Sequence, residues 1–232
     1  KPHFIHGITG SGKTEIYLKL THDIYKQKKS CLILVPEIVL SSQIFKRFQK
    51  YFGDNVLLWH SQAADSYKRD VWEKINQDKP YIIIGARSAV FMPLNNLGLI
   101  IIDEEHDASF KESDRQPCYN ARDLAVVRSK FANALIVLGS ATPSLETYYN
   151  SIINKYYLHN LDERYGQSVL PKIQLVNISE KNNSSFNQPI LTNDIIKEIK
   201  NTINQKEQVL ILHNRRGYSA IKIYNESDQI LK

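Results

Sequence analysis

The chain has 232 residues, 42% of them hydrophobic and 23% charged, a balance that permits a sizeable core and excludes a disordered or fibrous chain. The formal net charge of +6 is a weak pull towards a polyanionic partner. Two cysteines, Cys31 and Cys118, exclude a disulfide framework and fit a cytoplasmic setting, and no apolar run is long enough to span a membrane.

In chain order, His3-Phe4-Ile5-His6 reads as a short strand. It runs into Gly7-Ile8-Thr9-Gly10-Ser11-Gly12-Lys13-Thr14, which fits G-x-x-x-x-G-K-[ST]. Glycines there let the backbone turn tightly with its N–H groups facing inward, where they cradle phosphate oxygens. Lys13 supplies a point charge for the outer phosphates and the Thr14 hydroxyl a ligand for Mg²⁺. Ile16, Tyr17, Leu20 and Ile24 then recur at helical spacing from Thr14 to about Lys28, so the loop sits between a strand and a helix whose positive end faces the phosphates.

Cys31 to Val35 is a continuous apolar run, suited to a parallel strand buried on both faces, and Cys31 reads as a reduced core residue. A helix is predicted over Ile38–Phe52, a strand over Asn55–His60, a helix over Asp65–Ile75 and a strand over Tyr81–Ile84, followed by Arg87-Ser88. A fifth strand, Leu97–Ile102, runs straight into Asp103-Glu104-Glu105-His106. A helix is predicted over Arg122–Phe131 and a sixth strand over Leu135–Leu138, ending at Gly139-Ser140-Ala141-Thr142-Pro143. Leu145 to about Ile153 is helical again. Strands alternating with helices predict an α/β lobe of RecA-like phosphate-loop type with a mostly parallel sheet, its ligands at the carboxyl ends of the strands.

From about Leu161 the character changes. Lys172–Val176 and Gln208–Leu212 are strand-like, and Thr192 is a candidate N-cap for a helix over Asn193–Ile203. The expected division is residues 1–160 as a nucleotide-binding lobe and 161–232 as a linker and the opening of a second, incomplete lobe.

Asp103 is placed to hold Mg²⁺ and Glu104 to orient or deprotonate an attacking water. Adjacent strand residues point opposite ways, so the pair serves one site only if the backbone turns there. The Ser140 and Thr142 hydroxyls either sense the outer phosphate or cap the next helix. Phe110, Lys111 and Tyr119, near Arg115 and Arg122, either interleave rings and cations as a single-strand contact does or form an ordinary solvated loop with one ring tucked into the core. Arg87 contacts a nucleic-acid backbone or caps a strand end.

Residues 7–17, 34–38, 85–91, 101–111, 121–125, 139–144 and 214–218 together resemble the primosomal protein N′ family of bacterial replication-restart helicases. The resemblance implies a superfamily 2, 3′-to-5′ DNA helicase driven by ATP and Mg²⁺, acting with single-strand-binding protein and other primosome proteins at stalled forks. It implies that Lys13 and Thr14 bind phosphate and Mg²⁺, that Asp103 and Glu104 form the acidic box, and that His106 couples the two sites. It also implies that Phe110, Lys111 and Tyr119 lie in an aromatic-rich DNA-coupling loop, with Arg87, Arg122, Ser140 and Thr142 as further contacts. The family's zinc-binding cysteines have no counterpart: Tyr224 and Ser227 stand where a C-x-x-C pair belongs, and neither is a normal zinc ligand. The family's DNA-binding region before the phosphate loop, and an arginine that reaches the γ-phosphate from the second lobe, are not in this sequence. The expectation for this chain alone is therefore nucleotide binding with weak or absent hydrolysis and no unwinding. The alternatives are a DNA-binding or docking module that keeps the loop without turnover, and a nucleotide kinase, for which no acceptor signature is present.

Overall fold

The structure is a computed structural model. It describes residues 1–36, 38–60, 63–77, 79–114, 116–164, 173–176 and 191–212, with the short strands β10 (Lys222–Ile223) and β11 (Ile230–Leu231); of residues 38–43 only the backbone is described. Two units divide the chain, Lys1–Val169 and Leu170–Lys232.

The first unit is built on seven parallel strands: β1 (His3–Gly7), β2 (Ser30–Leu34), β3 (Val56–Trp59), β4 (Ile82–Gly85), β5 (Leu97–Asp103), β8 (Leu135–Ser140) and β9 (Tyr157–Leu161). Their order across the sheet is β3-β4-β2-β5-β8-β1-β9. The helices are α1 (Lys13–Lys26), α2 (Ile38–Phe52), α3 (Asp65–Ile75), α4 (Ala121–Phe131) and α5 (Leu145–Ile152). A small antiparallel hairpin, β6 (Lys111–Glu112) with β7 (Tyr119–Asn120), lies between β5 and α4.

Successive strand residues face opposite sides, so each apolar run feeds two cores. Leu32, Leu34, Ile83, Ile100, Ile102 and Leu138 pack with Val71 and Ile75 of α3 and Ala121 and Ala125 of α4. Ile33, Ile82, Ile84, Leu99, Ile101 and Val137 pack on the other face with Tyr17 and Leu18 of α1 and Phe48 and Phe52 of α2. This double burial is why the central strands carry branched apolar residues without polar alternation.

The strand and helix predictions from β1 through α5 hold with end shifts of one or two residues. Edge strand β9 was not anticipated: Tyr-Leu-His-Asn-Leu has no apolar run, because most of its side chains are exposed. Its pairing with β1 carries the first unit past the expected boundary at residue 160.

In the second unit, α6 (Asn193–Asn204) is capped as expected, Thr192 Oγ1 accepting from Ile195 N at 3.4 Å. Gln208–Leu212 is not a strand: Leu210 is 95% exposed and Leu212 91%, and no described strand pairs with the segment. A strand buried by a sheet needs neighbours for its backbone groups, which apolar composition alone does not supply. Residues 173–176 likewise have no regular structure. Among the described residues no helix is long and apolar enough to cross a membrane.

Cys31 is fully buried while Cys118 is exposed. Burial pushes the Cys31 thiol up to about 12, leaving roughly one part in ten thousand as thiolate at pH 8. A disulfide thiol reagent will therefore titrate one cysteine per native chain and two after denaturation; two fast thiols in the native chain would contradict the buried position.

Candidate functional site

β1 ends at Gly7, and the chain turns through Gly10 (φ 81°) and Gly12 (φ 89°) into α1. Those left-handed angles strain any residue with a side chain, so the two glycines set the loop's path. Gly7 matters differently: a Cβ there would lie 2.6 Å from Ser11 Oγ and 3.2 Å from Lys13 Cγ. Lys13 is 8% exposed, and its ammonium donates to the Gly7 carbonyl at 2.6 Å. Ser11 Oγ is buried without a hydrogen-bond partner.

The acidic residues meet the loop through sheet register. β8 lies between β5 and β1, with Asp103 opposite Gly139 and Ser140 opposite His6. All three strands therefore end at one level, as parallel sheets require of a site at their carboxyl ends. β5 stops at Asp103, and Glu104 adopts φ 47°. This left-handed turn brings the two adjacent carboxylates to one cavity. A non-glycine residue there costs on the order of 1 kcal/mol or more.

Asp103 is tied down by Tyr17 of α1, whose hydroxyl donates to Asp103 Oδ1 at 3.0 Å. Tyr17 reaches it only because residue 139 is glycine; a Cβ there would fall 1.7 Å from the Tyr17 oxygen. Burial first, and then the Glu104 charge, raises the Asp103 carboxyl above the ordinary carboxylate range, while the Tyr17 hydrogen bond and Lys13 pull it back.

Thr9 to Ile16, Asp103 and Glu104 line a cavity of about 1010 Å³, with Arg47, Glu163 and Arg164 at its other walls. The volume accommodates a nucleoside triphosphate. The Thr14 hydroxyl and Asp103 carboxylate are the hard oxygen donors that Mg²⁺ takes. The unpartnered Ser11 Oγ and an ammonium that forms no salt bridge among the described residues suit an anionic guest. The residues present therefore fit a magnesium–nucleotide complex. Arg47 itself is ion-paired with Glu15 across α2 and α1.

His106 bridges the acidic turn to the end of β8. Its Nδ1 lies 2.8 Å from Ser140 Oγ and 3.7 Å from Glu104 Oε2, and its Nε2 lies 3.3 Å from Thr142 Oγ1. Ser140 Oγ also accepts from Thr142 N at 3.0 Å. The hydroxyls that the sequence left between sensing and capping thus belong to the histidine bridge, and the helix cap is supplied by Ser144 instead.

Glu105, which sequence reasoning passed over, is the most heavily bonded carboxylate of the site. It is 1% exposed and accepts from Ser144 N at 2.8 Å, Ser144 Oγ at 2.9 Å and Thr147 Oγ1 at 2.8 Å. Arg122 Nη1 completes the cluster at 3.2 Å. A carboxylate at the N-terminus of α5 also meets that helix's positive end.

The expected nucleic-acid contacts separate into two groups. Phe110 is a correction: it is 1% exposed within the core, so its ring is not offered to a base. Arg87 is held by the Lys111 carbonyl at 2.6 Å and Glu112 at 2.8 Å, and Arg122 by Glu105, Asp123 and Ser144, so both guanidinium groups brace this region. Tyr119 is half-buried edge-on against Phe91. Lys111 and Thr142 are exposed. Arg115, Tyr224 and Ser227 lie outside the described residues. Among the described residues no three His, Cys, Asp or Glu side chains cluster as a metal site.

The profile of the DEAD/DEAH box helicase family matches residues 1–151. A replication restart protein PriA of Chlamydia pneumoniae is 46% identical over 93% of this chain, and one of Rickettsia felis is 45% identical over 96%. The Bacillus subtilis protein of that name is 39% identical over 95%. The chain spans 29%, 34% and 27% of those three relatives. Among solved structures, RecG bound to a three-way DNA junction aligns over 89% of this chain and 25% of its own, with a TM-score of 0.55 at 19% identity, a likeness of fold.

Proposed function

The chain belongs to the DEAD/DEAH box helicase family, and we propose that its Lys1–Val169 unit is the ATP-binding lobe of a 3′-to-5′ DNA helicase acting in replication restart. One observation carries this reading: the turn at Glu104 sets both acidic residues in the cavity of the phosphate loop. The likeness to replication restart proteins supports the choice of replication restart; the partners in this reading are DNA, single-strand-binding protein and other primosome proteins, in the cytoplasm.

ATP supplies the phosphoanhydride bond to be broken, and Mg²⁺ the charge neutralisation on its phosphates. Lys13 exchanges the Gly7 carbonyl for the outer phosphates. Thr14 and Asp103 would hold the cation, with Tyr17 fixing the Asp103 rotamer. Glu104 orients water and takes its proton. His106 Nδ1 faces both Ser140 and Glu104, and its Nε2 faces Thr142, so a shift at the end of β8 moves the ring beside the base. That contact is the route by which DNA binding couples to hydrolysis, with Lys111, Tyr119 and Thr142 as its surface groups.

The test is calorimetric titration of the 232-residue chain with ADP in Mg²⁺, beside Lys13→Ala. Replacing a charge-assisted contact will weaken ADP by about 10- to 100-fold. Equal affinity in the two proteins would remove the nucleotide reading.

A further inference from the structure

Arg164 has no role in the assignments above, yet it lines the nucleotide cavity and its Nε is buried without a hydrogen-bond partner. The other arginine of the cavity, Arg47, already has a partner in Glu15. Arg164 follows β9, the strand on the far side of β1 from the acidic box. Leu161, at the end of β9, is registered against Gly7, and its carbonyl accepts from Ile8 N at 3.4 Å. The segment bearing Glu163 and Arg164 is thus anchored to the base of the phosphate loop.

Strand order sets the direction of the ligand. Lys13 and the acidic box act on the outer phosphates, and the box lies at the end of β5, two strands to one side of β1. The phosphate chain therefore runs from the loop towards β5, and the nucleoside falls on the β9 side. We propose that Arg164 and Glu163 form the nucleoside subsite of this cavity, Arg164 laying its guanidinium on the face of the base and Glu163 accepting from ribose hydroxyls. A guanidinium suits this place because it is planar, weakly hydrated and attracted to a π face. The carboxylate suits the ribose better than the phosphates, which it would repel. The assignment rests on the nucleotide-binding reading of the cavity.

A ligand without the nucleoside separates the two ideas. Calorimetric titrations with Mg²⁺ and either ADP or inorganic pyrophosphate are made on the wild-type chain, Arg164→Ala, Arg164→Lys, Glu163→Gln and Lys13→Ala. Thermal midpoints show that each variant is folded. The wild type is expected to bind ADP more tightly than pyrophosphate. Arg164→Ala will weaken ADP roughly tenfold and leave pyrophosphate unchanged. Arg164→Lys, which keeps the charge and loses the plane, will lie between. Glu163→Gln will weaken ADP alone, and Lys13→Ala will weaken both ligands. An equal loss of ADP and pyrophosphate in Arg164→Ala would make Arg164 a phosphate contact and overturn the proposal, as would unchanged ADP affinity. If the wild type binds neither ligand, the nucleotide reading fails and takes the subsite with it; if it binds both and only Lys13→Ala matters, the subsite alone is wrong.

Discussion

Glu105→Ala will lower the free energy of unfolding by about 3–5 kcal/mol, a drop in thermal midpoint of roughly 10 °C for a domain of this size. The carboxylate is buried and holds three elements at once: its own turn, the cap of α5 through Ser144 and Thr147, and α4 through Arg122. Alanine removes the acceptor but leaves the donors. The Arg122 guanidinium then sits half-buried with, among the described residues, only the exposed Asp123 as counter-charge. An uncompensated charge costs more than the intact pair gives, so Glu105→Leu with Arg122→Met will recover much of the loss that Glu105→Ala alone produces. Calorimetric melting of the two variants beside the wild type checks this. A Glu105→Ala midpoint within 2 °C of wild type would show that the cluster is not holding these elements together.

The second large effect falls on turnover. Glu104→Gln will lower the single-turnover rate of ATP hydrolysis by about 10²- to 10³-fold, the scale of losing a positioned general base. Glutamine keeps the length and can keep the left-handed turn at φ 47°, so ADP affinity will stay within about threefold of wild type. The contrast with Lys13→Ala is the diagnostic: that variant loses binding, while Glu104→Gln loses the chemical step. A Glu104→Gln chain that hydrolyses ATP at the wild-type rate would reassign the base.

The central sheet was legible because its strands are buried on both faces, and the run from Leu99 to Ile102 has no other use. The phosphate loop was legible because glycine spacing is itself the mechanism. β9 was not: an edge strand half open to solvent carries histidine and asparagine, and only its pairing with β1 makes it a strand. Phe110 was misplaced for the opposite reason, since a ring next to a lysine reads as a surface contact until the short helical turn at Ala108–Phe110 folds it into the core. Glu105 hid beside two carboxylates with an obvious task. Its signal was at a distance, in Ser144 and Thr147 at the start of α5, two donors in need of an acceptor. Gln208–Leu212 shows the limit of an apolar run, which reports a preference for burial but does not provide a neighbour.

The sheet order has a consequence for synthesis. β1 precedes both of its partners, β8 and β9: His3 waits for Val137 and for Tyr157. At ribosomal speeds of about 5–20 residues per second, that wait is on the order of ten seconds. The entropy of closing so long a loop is met only when the late strands arrive. Until β8 is made, β1 and the phosphate loop that follows it lack both of the strand's sheet partners. The strand that carries the loop gains its second neighbour only when the edge strand β9 docks.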